Sequence, residues 1–524
     1  MTAPAHFTSP LAETLSEDLL ERFLRYVRID TQARRDRTGS PSTPGQLELG
    51  RLVAAELREA GLADAALDDD GYVMATLPAT VTGDEQGARS APVIGVIAHL
   101  DTSPDAPGAG VEPIVHRTYP GGVIELPRAG TRLDPSAMPE LATKAGHDIV
   151  TASGDTLLGA DDKIGVAAIT TAVAYLAAHP ELPRPTLRVA FTPDEEIGEG
   201  ATLFDLERFG ALCAYTIDGS TVGELQDETF TAAQAILTIE GVDVHPGQAT
   251  GKLVNALRLA ARIIAGLPAD RLAPETTSGR EGFIHPYGLQ GTSARATIST
   301  IVRDFDEDEL EHHLALLRRT AEEVMATEPR AKLDLAVTRQ YPNMREFIAS
   351  VPYVTDAAQA AIRAEGIEPV RTVIRGGTDG SKLSARGLPT PNIFTGGHEY
   401  HSVREWASLQ DMAAAAATIV RLAEVWTRPE FAARGGAQPS ALPNLVKEDE
   451  DSELTREALF GKLAGKAKEA AGSLVGNDDL AHEGRLQQEQ LEAEAEAEAA
   501  REANRAERAH DESAARPNDL REPD

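Results

Sequence analysis

At 524 residues the chain is too long for a single compact core and has room for two or three domains. Its net charge of −33 excludes nucleic acid as a partner, because nothing offsets phosphate repulsion. One cysteine, Cys213, excludes an internal disulfide and suits a reducing compartment.

The opening MTAPAHFTSPLAETLSEDLLERF has neither the basic stretch nor the apolar run of a secretory signal. No stretch of about 18 uninterrupted apolar residues occurs, so the expectation is a cytoplasmic protein with no membrane partner. A helix is predicted over 16–31, opened by Ser16, with Leu19, Leu20, Phe23, Leu24 and Val27 at helical spacing. A second runs from Gln46 to Ala60 and stops at Gly61. YVMATLP reads as a strand, and PVIGVIAHLD as a buried strand delivering polar side chains at its carboxyl end. A helix over 163–178, the strand LRVAFTPDEE and the strand AYTIDG continue the alternation. The pattern predicts an α/β sheet sandwiched by helices, with sites beyond the strand carboxyl ends. With aromatics at only 4%, the core is expected to be Ala, Leu, Val and Ile.

Near residue 230 the texture changes. The strand-like TAAQAILTIEGVDVHPG, the helix NALRLAARIIAGL, the strand ATISTIVRDFD, a helix from Asp306 to Ala326 and the strand KLDLAVTRQ predict an inserted α+β unit. The α/β texture returns with a helix at 352–365, the loop IRGGTDGSK, the strand-like TPNIFTGG and a helix at 408–427. The expected division is a catalytic domain at 1–228 and 339–428, an inserted lid at 229–338, a linker at 429–446 and an acidic tail at 447–524. The tail carries roughly a third of the net charge and reads as a solvated helix or as disorder. Within it, LFGKLAGKAKEAAGSLVGNDDLAHEGRLQQ resembles the CsbD-like stress-response module.

The chemistry-bearing residues fall at strand ends and in Gly-rich turns. His99 and Asp101 share one side of an extended segment, and a metal-binding His commonly has a carboxylate behind it. Taken alone, His99 also suits a His capping a strand. GADDK at 159–163 is a Gly-led turn into a helix, where Asp161 suits a ligand or an N-cap. Asp194, Glu195 and Glu196 are too close to remain ionised together without cations or raised pKa values, unless they form a solvated acidic loop. Asp218 ends AYTID, and His401 lies in GGHEYHSVREW. Together these make a mixed nitrogen and oxygen donor set. It suits zinc, cobalt or manganese rather than calcium, with no thiolate for a structural zinc site.

At this level of detail the sequence resembles a known family. IAHLDTSPD, LLGADDKIG, AFTPDEEIGEGA, YTIDG, VHPGQATG, VNALRLAARI, IVRDFD, YPNMRE, IRGGTDGSKLS and PNIFTGG occur in the order found in the peptidase T branch of the M20 metallopeptidases. The resemblance covers about residues 16–428. It implies a tripeptide aminopeptidase with two zinc ions, replaceable by cobalt or manganese, and a water bridged between them. His99 and Asp218 would hold one ion, Glu196 and His401 the other, and Asp161 both, through a cis peptide to Asp162. Asp101 would orient His99, and Glu195 would be the general base. His245 would stabilise the oxyanion, Arg303 would bind the substrate carboxylate, and Asn255 and Arg375 would make lesser substrate contacts. His398 competes with His401, which is preferred for its H-x-x-x-E spacing to Glu405. The alternatives are a dipeptidase or N-acyl amino-acid deacylase on the same metal core, or a non-catalytic stress-associated binding protein.

Overall fold

In the computed structural model, residues 6–81 and 92–436 are described. The tail at 447–524, its CsbD-like segment and most of the expected linker lie outside the described residues.

The main sheet has eight strands. From one edge they are Ala66–Leu67, Val73–Leu77, Leu187–Thr192, Ile94–His99, Cys213–Gly219, Asn392–Phe394, Glu224–Thr229 and Val370–Ile374. Ile94–His99 and Cys213–Gly219 are almost wholly buried, as their unbroken apolar runs require. One face is covered by helices Pro10–Tyr26, Pro44–Glu59, Ala160–Ala178, Tyr353–Ala364 and Leu409–Val425. Leu409–Val425 is buried along nearly its whole length, and its run Ala413–Ala417 lets neighbouring helices approach closely. The other face carries a smaller cluster that includes Tyr72, Phe204, Phe209 and Leu383. The Ala- and aliphatic-rich core is the one expected from composition.

A second sheet is fully antiparallel, in the order Phe283–Gly291, Arg295–Asp304, Thr231–Glu240 and Lys332–Tyr341. Ala233, Ala235, Leu237 and Ile239 alternate onto one face and pack beneath helices Ala256–Gly266 and Glu307–Ala326. An α+β unit was expected here, but its last strand runs to Tyr341, past the expected boundary at 338, because the pairing with Thr231–Glu240 continues to Ala232 opposite Tyr341. Its chain passages meet at one place. Asn343 Oδ1 accepts the Thr229 amide at 3.2 Å, Thr229 Oγ1 accepts the Met344 amide at 3.2 Å, and Asn343 Nδ2 donates to the Phe305 carbonyl at 3.0 Å.

Several boundaries differ from expectation. The first helix begins at Pro10, not near Ser16; Ser9 caps it, accepting the Ala12 amide at 3.1 Å, and Pro10 occupies the first turn. Ser16 is a buried residue within that helix. The helix expected from 163 begins at Ala160, across a break at Asp161 and Asp162. Strands Glu224–Thr229, Val370–Ile374 and Phe283–Gly291 appear where the sequence shows little alternation. A small sheet of Gly397–His398, Trp406–Ser408, Ile149–Thr151 and Ile114–His116 was not anticipated.

Candidate metal centre and active site

Three strands bring the chemistry to one edge. Ile94–His99 runs parallel to Leu187–Thr192 with His99 opposite Thr192, and parallel to Cys213–Gly219 on its other side. His99, Asp218 and the segment after Thr192 therefore leave the sheet together. Asp161 joins them from the break at the head of its helix (φ −86°, ψ 108°), next to a cis peptide to Asp162. His401 arrives on a loop, with a left-handed backbone at φ 61°.

The two oxygens of Asp161 face different partners. Oδ1 lies 2.9 Å from His99 Nε2, and Oδ2 lies 3.3 Å from His401 Nε2. His99 Nε2 is also 3.6 Å from Asp218 Oδ1, and His401 Nε2 is 2.9 Å from Glu196 Oε2. Donor atoms of His99, Asp161 and Glu196 lie within 4.8 Å of one another, as do those of His99, Asp162 and Asp218. Asp162 is already committed: its Oδ2 accepts the His99 amide at 3.2 Å and its Oδ1 the Gly165 amide at 3.1 Å. A Cβ at Gly165 would sit 2.1 Å from the Ile217 carbonyl oxygen, so this approach requires glycine.

The charges in this pocket do not balance. Burial and the Asp161 charge push Glu196 up to about 8 and Asp218 up to about 7. Burial would lower His401, but Asp161 and Glu196 outweigh it and carry the ring up to about 11. Burial would raise Asp161, yet His401 and His99 hold it below the usual carboxylate range. Among the described residues no Lys or Arg pairs with Asp161, Glu196 or Asp218, and Glu196 Oε1 is buried without a hydrogen-bond partner. Carboxylates short of cations in a low-dielectric pocket, joined by two imidazoles, fit divalent ions of the zinc, cobalt or manganese kind.

Buttressing residues hold these groups in place. Asp101 is fully buried, and its Oδ1 and Oδ2 accept the amides of Glu195 and Glu196 at 2.9 and 3.1 Å. His99 Nδ1 rests 3.1 Å from the Asp101 carbonyl and 3.3 Å from its Oδ1. Asp194, at φ 57°, turns away and is anchored by the Ser42 amide at 2.7 Å and Gln46 Nε2 at 2.7 Å. Of the three consecutive acids, only Glu195 and Glu196 are left to face the cluster. Burial first, then Asp379, Asp218 and Glu196, raise Glu195 well above the usual range against the opposing effect of His99. Glu405 accepts the amides of Leu158, Gly159 and Ala160 at 2.8, 2.7 and 3.3 Å on Oε2, and the His401 amide at 3.0 Å on Oε1. One carboxylate thus ties the Asp161 turn to the His401 loop. The H-x-x-x-E spacing marked this residue, but nothing in the sequence showed its second attachment.

His398 lies elsewhere. It stacks on Trp406 with ring centroids 4.3 Å apart, and its Nδ1 is 3.2 Å from Ser220 Oγ. Burial, with a smaller contribution from Lys144, lowers it to about 4. His245 is exposed, its Nδ1 accepting the Gly247 amide at 3.2 Å, and no described contact joins it to the cluster. Asn255 caps Ala256–Gly266, accepting the Arg258 amide at 3.1 Å. Arg375 donates to the Gly279 and Glu281 carbonyls at 3.0 Å each and lies against the Phe230 and Phe283 rings, securing loop 277–281. Arg303 donates to the Tyr341 hydroxyl and keeps a buried Nε without a partner. Burial above all pushes the Tyr341 phenol up to about 12, with Arg303 pulling against it and the Glu195 charge adding a smaller push. A Cβ at Gly377 would come within 2.5 Å of the Tyr341 ring.

A helix-sandwiched sheet whose strand ends gather two His and several carboxylates around Asp161 is an arrangement suited to a metallopeptidase. Residues 156–425 match peptidase family M20/M25/M40, and the chain belongs to that family. It is 45% identical to peptidase T of Geobacillus kaustophilus, covering 79% of this chain and 99% of the relative. It is 46% identical to peptidase T of Vibrio parahaemolyticus, covering 78% and 98%. Among solved structures it resembles the aminopeptidase PepT of Bacillus cereus at TM-score 0.61 and 24% identity, over 79% of this chain and 99% of that one. It also resembles a tripeptidase of Staphylococcus aureus at TM-score 0.62 and 20% identity, over 78% and 98%. A dinuclear metal-binding M20 peptidase of Bacillus subtilis matches at TM-score 0.51 and 17% identity, over 79% and 98%. Among the described residues no helix is long and apolar enough to cross a membrane.

Proposed function

We propose that the chain is an aminopeptidase that removes the N-terminal residue of short peptides, tripeptides foremost, with two zinc ions. The division of the Asp161 oxygens between His99 and His401 carries this reading, since it leaves one shared carboxylate between two donor sets. The naming of the relatives as peptidase T and tripeptidase supports the substrate class. His99 and Asp218 would hold one ion, Glu196 and His401 the other. When bound, the ions supply Lewis acidity that polarises the scissile carbonyl and acidifies water.

The side chains do the rest. Glu195 takes the proton of the attacking water on its carboxylate and passes it to the leaving amine. Burial first and surrounding negative charge second raise its pKa in the bare site, and bound cations would offset the second. Asp101 fixes the ring of His99 and, through two amides, the backbone of Glu195 and Glu196. Arg303, which donates to the Tyr341 hydroxyl and has an unpartnered Nε, is suited to the substrate carboxylate. His245 would approach the oxyanion when the inserted unit closes.

The test is a panel of free tripeptides, dipeptides, N-acyl amino acids and longer peptides, assayed before and after chelation. Release of the first residue of tripeptides, lost on chelation and restored by zinc, is expected. Preference for dipeptides or acyl amino acids, or full activity in chelated protein, would refute the proposal.

A further inference from the structure

His99 has a carboxylate behind its free ring nitrogen, and the same question can be put to His401. Its Nε2 faces Glu196 and Asp161, while Nδ1 points the opposite way, 3.6 Å from Asp105 Oδ2. Asp105 is itself constrained. Its Oδ1 takes Arg35 Nη2 at 3.1 Å, and its amide donates to Ser103 Oγ at 3.3 Å. The loop around it is zipped to 31–33: the Thr102 amide donates to Thr31 O at 3.2 Å, the Ala33 amide to Thr102 O at 2.9 Å, and Gln32 Nε2 to the Ser103 and Ala106 carbonyls at 2.9 and 2.5 Å. An exposed Asp on a free loop would sample many directions; this one is aimed.

Resting on the two-ion reading above, we propose that Asp105 is a positioning residue for His401. With the ion in place the carboxylate, now 3.6 Å away, would close to accept the Nδ1–H; that fixes the tautomer and turns Nε2 towards the ion shared with Glu196, and Arg35 holds Asp105 close to that orientation. Partners of this kind typically contribute about 10–100-fold to metal affinity.

The experiment is zinc binding to the full-length chain, by competition with a chromophoric chelator, giving both dissociation constants. His401→Ala identifies which constant belongs to the His401 ion. In Asp105→Ala that constant should rise about 10–100-fold, with the other changed far less. Asp105→Asn removes the charge but keeps an acceptor oxygen, so it should retain most of the affinity; an equal loss in Asn and Ala marks a charge effect and overturns the positioning role. Two wild-type constants in Asp105→Ala, with one lost in His401→Ala, would also overturn it while leaving the two-ion reading intact. A His401→Ala protein that keeps both ions removes the reading and the inference together.

Discussion

The His99 half of the cluster grows out of the sheet, whereas the His401 half is assembled from loops. His99 ends a buried strand with its side chain 3% exposed, and its backing carboxylate Asp101 is bonded to two amides. His401 sits on a left-handed turn with its side chain 41% exposed, and Asp105 behind it is half in water. Asp161 belongs to both. The difference teaches that one carboxylate can stand between a fully buried histidine and one that stays partly open to water.

The strongest way to break this picture is to remove what the halves share. Asp161→Ala should release both ions and bring turnover down to the background rate, measured by metal analysis and a tripeptide assay; retention of both ions would dissolve the comparison. Next is Glu195→Gln, which keeps shape and removes the proton acceptor. It should lower kcat by at least about 10²-fold with metal content intact. Normal turnover would take Glu195 out of this role.

A third test sharpens the contrast directly. Under slow chelation the His401 ion should leave first, and activity should fall with that first loss; simultaneous release of both ions would argue against unequal halves. A smaller effect is expected at the inserted unit. C-terminal amidation of a tripeptide should weaken kcat/KM by about 1.5–3 kcal/mol if Arg303 reads the carboxylate. Equal hydrolysis of acid and amide would rule that contact out.

The smallest effect concerns the competing histidine. His398→Phe should leave metal stoichiometry unchanged. Burial lowers His398 to about 4 from its ordinary 6.5, so the unfolded chain gains a proton before the folded one does. In metal-free protein its contribution to stability is present above pH 6.5 and lost as pH falls towards 4. His398→Phe should flatten that part of the stability profile; an unaltered slope would contradict it.

Much of this was legible in the sequence because burial writes itself as apolar runs. VIGVIAH and AYTID could only be interior strands, so His99 and Asp218 had to emerge at the sheet edge. The stretches ELQDET and VRTVI are strands despite polar or half-exposed residues, since neighbouring strands rather than periodicity define them. Ser9 and Ser16 both precede apolar residues at helical spacing, and only the Pro10 that follows Ser9 distinguishes the true start. Asn255 and Arg375 drew attention as polar residues in matching motifs, and the fold gives each a cap or clamp to make. Asp105 and Tyr341 lie within the motifs IAHLDTSPD and YPNMRE, but nothing local marks their contacts, because their partners come from distant parts of the chain.

The knot of bonds among Thr229, Phe305 and Asn343 fastens the way into the inserted unit to the way out of it. That fastening is not the unit's single hold, since Arg375 also clamps loop 277–281, but it brings entry and exit to one place where the unit can be cut out or exchanged. Joining 229 to 343 through a short glycine bridge should leave metal affinity at the strand ends intact and, if His245 and Arg303 act as proposed, remove both in one step. On those roles the metal centre is inherited with the sheet and the substrate contacts with the insert.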